Sequence, residues 1–455
     1  MKFDILIIGG GTAGESAART AAALTGSVGV VERNRVGGDC VFHACIPTKT
    51  LAHAARAYRL MRRADFYGLP AFTGAFDYRL VKAFKDRIIA SIAQGRDQRL
   101  AGRGIQVITG NARFLSPGMI KVDDTAIEAS KTIIATGSMP AVPPIPGLKE
   151  AGYITNVEAL ELEKAPRRLA IIGGGAVGVE FASIFATFGA DVHIYEAMDR
   201  VLAFEDDEVS GALAGSFVER GIKVTTSATV TGVRKTSTGK TVSARAADGR
   251  EVAGEFDEVL VATGRRPVIQ ELDLPAAGVK TWERGIEVDA ALRTSAPNIW
   301  AAGDVTGRYL YTTIAGEQGR AAVTNAVTGL NTELDYGVLP RAIFCDPEVA
   351  AVGLTERDAR QQGFQVVTAS YRFADLTRAI ITDEMEGFIK VVAEAGSGRL
   401  LGGHIVGVEA STLIHEIALA LRRNLTAGDI AHTFHAYPTF SEGIRYACQR
   451  LSKVD

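Results

Sequence analysis

One pattern occurs twice in this chain and constrains its fold more than anything else in it. Near the N-terminus the sequence reads DILIIGGGTAGESAARTAAALTGSVGVVERN. Ile5–Ile8 predicts a short strand, Gly9-x-Gly11-x-x-Gly14 follows it directly, the Ala-rich residues 15–24 predict a helix, and Val28–Val31 predict a second strand closed by Glu32. The segment RLAIIGGGAVGVEFASIFATFGADVHIYEA repeats the design with Gly173, Gly175, Gly178 and Glu196, and in both copies the acid lies 18 residues past the third glycine. The first glycine makes the turn, the second lets backbone approach a pyrophosphate, and the third lets helix pack on strand. The helix N-terminus offers unpaired N–H groups to phosphate, and the acid accepts ribose hydroxyls. A lone GxGxxG carries little weight. Two complete copies in register predict two dinucleotide sites on an α/β scaffold. At the second, Glu196 repels a 2′-phosphate, so NAD(H) is preferred over NADP(H), with Arg200 four residues on able to soften that preference.

Composition narrows the class further. At 455 residues three domains are the natural expectation. Fifty basic against 52 acidic side chains leave a net charge of -2, which argues against nucleic acid as a partner. Four cysteines are too few for a stapled secreted scaffold. With no signal-type segment and no apolar run of membrane length, the reading is a soluble, cytoplasmic protein without a membrane partner. Two further signatures recur, IIATGSMP (133–140) and VLVATGRRP (259–267), and IWAAGDV (299–305) places Asp304 just past a strand.

VGGDCVFHACIPTKTL holds Cys40 and Cys45. Five residues apart on a regular helix leaves them about 140° out of line. A bond between them requires a distorted first turn, which Gly37-Gly38 and Pro47 can supply. Two buried free thiols are the commoner outcome in a cytosolic protein. A metal site wants CxxC spacing and further ligands, so no metal is expected.

The chain resembles the flavin-dependent pyridine nucleotide–disulfide oxidoreductases, the family of dihydrolipoamide dehydrogenase and mercuric reductase. The resemblance runs over nearly the whole length in GGDCVFHACIPTK, GGGAVGVE, ATGRRP, AAGDV, DPEVAAVGLTE and HAYPTFSEG. It implies two Rossmann-like domains and a C-terminal α+β dimerisation domain: residues 1–145 and 269–335 for FAD, 146–268 for NAD(P), and 336–455 for the interface. It implies that Gly9, Gly11, Gly14, Glu32, Gly38, Lys49, Ala112, Asp304 and Thr312 serve FAD, and that Gly173, Gly175, Gly178, Glu196, Val230 and Gly264 serve the nicotinamide nucleotide. It implies a redox-active Cys40–Cys45 disulfide, with Cys45 nearer the flavin and Cys40 exchanging with substrate, and Lys49 paired with Glu180 near the two rings. A homodimer follows, each C-terminal motif entering the partner's active site.

The departures bear on the substrate. The relatives' disulfide reductases carry a histidine immediately before the proline of the C-terminal motif. Here that residue is Tyr437, His435 lies two residues earlier, and Glu442 closes the motif. A tyrosine with an ordinary pKa near 10 is a poor general base. Mercuric reductases share a tyrosine at this place but also need a C-terminal cysteine pair, and this chain has Cys448 alone. Asp39, in place of the usual threonine, is expected to oppose negative charge beside the flavin. The first reading is an NAD(P)H-linked enzyme acting on a disulfide or dithiol such as dihydrolipoamide or a lipoyl carrier. The alternative is a mercuric-reductase-like or copper-response-like reductase of a metal ion or quinone.

Overall fold

The glycine pattern predicts parallel strands, and the backbone supplies them twice. The computed structural model of the chain describes residues 1–452. It divides into two units, one of residues 1–50, 83–141 and 264–334, the other of 51–82, 142–263 and 335–455.

The first unit is built on a seven-stranded sheet in which Ile105–Thr109, Val28–Glu32, Lys2–Ile8 and Thr125–Ile134 lie side by side and parallel. Met119–Val122 and Ala112–Ser116 continue it antiparallel, and Ile299–Ala301 joins parallel to the far end of Thr125–Ile134. Ile5–Ile8 of the central strand is buried on both faces, which is why that stretch reads as an apolar run rather than an alternation. The helix Thr12–Leu24 buries Ala17, Ala18 and Ala21. It packs closely on the helix Thr312–Thr328, whose Gly319 faces the Ala13 carbonyl so directly that no Cβ fits. Small residues on both helices permit that approach.

In the second unit, Lys223–Thr225, Asp191–Tyr195, Arg168–Ile172 and Glu258–Val261 form a parallel sheet with the same order of connections as the core of the first. A three-stranded antiparallel sheet (Ala228–Lys235, Lys240–Ala246, Glu251–Phe256) follows. The C-terminal part forms a five-stranded antiparallel sheet, Arg341–Ile343, Glu348–Gly353, Leu400–Gly407, Gly387–Glu394 and Val366–Arg372. The helices Ala410–Arg422 and Glu442–Ser452 cover it through Ile414, Ile417, Ile444 and Ala447. Among the described residues no helix is long and apolar enough to cross a membrane.

Candidate active site

The two glycine turns are superimposable in their conformations. Gly9 and Gly173 have φ of +106° and +109°, a region in which L side chains are strained. Gly11 and Gly175 cap their helices at φ/ψ of -74°/-168° and -76°/-173°, with no side chain occupying the helix N-terminus. A Cβ on Gly14 would collide with the Gly9 carbonyl, and one on Gly178 with the Gly173 carbonyl. The space in front of Gly175 is open, so a phosphate can approach the helix end. The acids are held in the same way. Glu32 accepts from the N–H of Gly10 at 2.7 Å and of Asn34 at 2.8 Å. Glu196 accepts from the N–H groups of Gly174 and Met198. Each carboxylate is therefore fixed before any ribose arrives. These cradles fit dinucleotides.

Arg200, able to soften the preference for NAD(H), is already engaged by its neighbours. Its guanidinium pairs with Asp207 at 2.8 Å and Asp199 at 3.0 Å, and donates to the Ala203 carbonyl. The other positions assigned to the nucleotide sites are less decisive. Val230 is buried in the core beside the antiparallel sheet, so only its backbone is available to a ligand. Gly264 has φ +113° with open space before it, and Ala112 is a buried strand residue.

The redox segment breaks where the sequence required distortion, though not at the proline. A short helix Gly38–Phe42 ends at His43, and a new helix starts at Cys45 and runs to Arg62, passing through Pro47 in its first turn. Gly38, at φ +59°, faces the nucleotide turn so closely that a Cβ would lie 2.7 Å from Gly11 Cα. Both cysteines are thiols. Thr312 bridges them, with its hydroxyl 3.0 Å from Cys45 Sγ and 3.4 Å from Cys40 Sγ. The hydrogen bond with Cys45 and then burial push the Cys40 thiol far up its scale. The fold thus brings Cys40 and Cys45 together, within hydrogen-bonding reach of each other.

Asp39 is not a free charge. It pairs with Arg265, and His43 Nδ1 lies 3.4 Å away. Burial opposes its ionisation, but the His43 and Arg265 contacts win and hold its carboxyl below the ordinary range. Burial pushes Asp304 up, although it accepts from the Ser138 hydroxyl at 2.6 Å. Arg265 and Ser138 were not singled out from the sequence; the ATGRRP and ATGSMP repeats held both, read only for their glycines.

The C-terminal motif departs from expectation. His435 is tied down: Nδ1 lies 3.1 Å from the Thr433 carbonyl and Nε2 3.0 Å from Glu416, with the side chain only 6% exposed. Glu442 does not serve it. That carboxylate accepts from the Thr439 N–H and the Tyr446 hydroxyl, each at 2.9 Å. Tyr437 is 71% exposed, its hydroxyl 3.3 Å from Thr377 Oγ1. Glu416 carried no signal in the sequence, being one polar residue on an amphipathic helix. Lys49 lies in the helix that Cys45 begins, and buried Glu180 accepts from the Phe344 N–H at 2.8 Å. Cys345 and Cys448 are buried, and burial raises both thiols, Cys448 to about 12. Among the described residues no three His, Cys, Asp or Glu side chains are placed to hold a metal ion.

Twin dinucleotide cradles, a contacting cysteine pair and an antiparallel C-terminal sheet define a flavin- and pyridine-nucleotide-dependent oxidoreductase. The chain belongs to the pyridine nucleotide-disulphide oxidoreductase family, whose model matches residues 3–326, with the family's dimerisation domain matching 339–448 and indicating a homodimer. It is 38% identical to dihydrolipoyl dehydrogenase of Thermus scotoductus over 99% of this chain and 98% of that one. It is 35% identical to mercuric reductase of Bacillus cereus over 99% of this chain and 72% of that one. Among solved structures it resembles the Cu(II) complex of the HOCl-induced flavoprotein disulfide reductase RclA from Escherichia coli (TM-score 0.89, 28% identity, 99% and 100% of the two chains). LpdA from Mycobacterium tuberculosis is similar at TM-score 0.88 and 29% identity, with 99% of each chain covered.

Proposed function

We propose that this protein is an NADH-dependent flavoprotein reductase whose Cys40–Cys45 dithiol delivers electrons to a thiol-seeking metal ion such as Cu(II). The observation that carries the reading is the C-terminal motif. An exposed Tyr437 stands where a histidine would, and the nearest imidazole, His435, is committed to Glu416 and Thr433. Exchange with a disulfide needs a proton delivered to the leaving thiolate. Reduction of a bound metal ion does not. Two Cu(II) ions take one electron each, the dithiol closes to a disulfide, and two protons are released.

Bound FAD supplies the two-electron chemistry that links a nicotinamide to the dithiol. The chain's part is to hold its pyrophosphate at Gly9–Gly14, its ribose at Glu32 and its remaining polar groups near Asp304, while Gly173–Gly178 and Glu196 hold the nicotinamide nucleotide. Glu196 disfavours a 2′-phosphate, and Arg200, already paired, does not offset it. Thr312 keeps both sulfurs aligned, with Cys45 inward and Cys40 outward, and Tyr437 enters the partner's site in the homodimer.

The second reading is an oxidoreductase of dihydrolipoamide, favoured by the near full-length match to a dihydrolipoyl dehydrogenase. Anaerobic reduction of the holoenzyme with NADH, followed by lipoamide or Cu(II), separates the two. Reoxidation by Cu(II) but not lipoamide, lost in Cys40→Ser, is the expected result. Rapid reoxidation by lipoamide refutes the metal-ion reading.

A further inference from the structure

Asp39 immediately precedes Cys40 in the chain, and a negative charge near a thiol disfavours the thiolate. The fold answers it with His43 and, as the permanently charged partner, Arg265. Arg265 donates through Nε to the Ser138 hydroxyl at 2.7 Å and through Nη2 to the Ser138 carbonyl at 3.0 Å, and the same Nη2 pairs with Asp39. Its Nε also lies 3.9 Å from Asp304. The guanidinium is only 17% exposed. It sits on the two-stranded ribbon in which Arg265–Pro267 pairs antiparallel with Ser138–Pro140. Two hydrogen bonds to Ser138 on the ribbon and the pair with Asp39 fix its position, so it is not a wandering surface cation.

We propose that Arg265 is a positioning residue that clamps the Cys40 helix onto this ribbon and cancels the Asp39 charge at the outward thiol. The other groups facing Asp39 and Cys40 are consistent with this division of labour. His43 Nδ1 meets Asp39 at 3.4 Å and shares in holding its carboxyl low. Thr12 and Thr312 reach Cys40 with neutral hydroxyls. Arg265 is the permanently charged group paired with Asp39.

The proposal rests on Cys40 being the exchanging thiol, and its test separates the two claims. The reduced holoenzyme is alkylated with iodoacetamide across pH 5–10, and the modified cysteine is identified by peptide mapping. Removing one of two opposed charges near a half-buried sulfur shifts its titration by about one pH unit, or about tenfold in rate at neutral pH. Arg265→Gln therefore titrates Cys40 upward and slows alkylation, Asp39→Asn shifts it downward and speeds alkylation, and the double variant returns near the parent. Arg265→Lys restores the charge without the fork and recovers the titration only in part. Singles that shift in the same direction, or not at all, overturn the charge-compensating role. Alkylation at Cys45 in place of Cys40, or none at Cys40 at any pH, overturns the underlying assignment of the outward thiol.

Discussion

Adding one methyl group to either glycine turn should disable one cofactor and spare the other. At Gly178 a Cβ would fall more than about 1 Å inside the closest distance at which real Cβ atoms approach another heavy atom, and the obstacle is the Gly173 carbonyl, part of the turn itself. Neither group is the far end of a flexible side chain. The helix Ala176–Thr187 must therefore retreat from the strand Arg168–Ile172 by about that distance, and its N-terminal N–H groups retreat with it. Overpacking of this kind costs about 1–3 kcal/mol of stability, and misplacement by about 1 Å costs on the order of 100-fold in a step that depends on position. Gly178→Ala is expected to purify with its flavin and to lose about 100-fold in the second-order rate of flavin reduction by NADH, measured by anaerobic stopped flow. Gly14→Ala, with the same clash against Gly9, is expected to purify largely without flavin. A Gly178→Ala protein reduced by NADH at the parent rate, or one that has lost flavin as readily as Gly14→Ala, would refute the argument that the two turns serve separate nucleotides.

Other outcomes follow from the same structure. In Glu196→Ala alone, NADPH should remain a poor donor because Arg200 stays paired to Asp199 and Asp207; adding both Asp199→Ala and Asp207→Ala releases it from these carboxylates and should raise kcat/KM for NADPH by about tenfold, the worth of one charge-assisted bond. Lys390→Met strands the buried carboxylate of Asp206 and the nearby Glu208 and Glu356, which Lys390 meets at 3.1, 2.6 and 3.1 Å. It should cost about 3–5 kcal/mol in thermal or denaturant unfolding. Burial opposes the charge on Lys390, but Glu208 and Asp206 push its pKa up to about 12, so its stabilisation holds below pH 10.5 and fades as pH rises through about 12. Burial, with Lys223 assisting, lowers His193 to about 4. Its neutral form is favoured in the fold, so that contribution is complete above pH 6.5 and is lost as pH falls toward 4. His193→Gln should flatten the melting temperature across that window.

The sequence by itself determined the parts of this protein whose physics is local. A glycine that must adopt positive φ, or that must let a helix touch a carbonyl, is readable because no other residue does either at low cost. Both turns at Gly9–Gly14 and Gly173–Gly178 stood where the pattern put them, with their acids at equal distance. The short apolar runs Ile5–Ile8 and Val28–Val31 likewise announced strands. Only the tertiary structure decided the electrostatics. Asp39 reads as an uncompensated charge until Arg265, 226 residues away, is folded against it. Arg200 reads as a free cation until Asp207 claims it. His435 reads as a base able to swing inward until Glu416, on a helix whose sequence shows only its apolar stripe, takes its Nε2. In each case the charge on the residue was legible and its partner was not. The energy of an ion pair depends on a distance of a few ångströms that chain separation does not encode, whereas the steric demand of a glycine is met within its own turn.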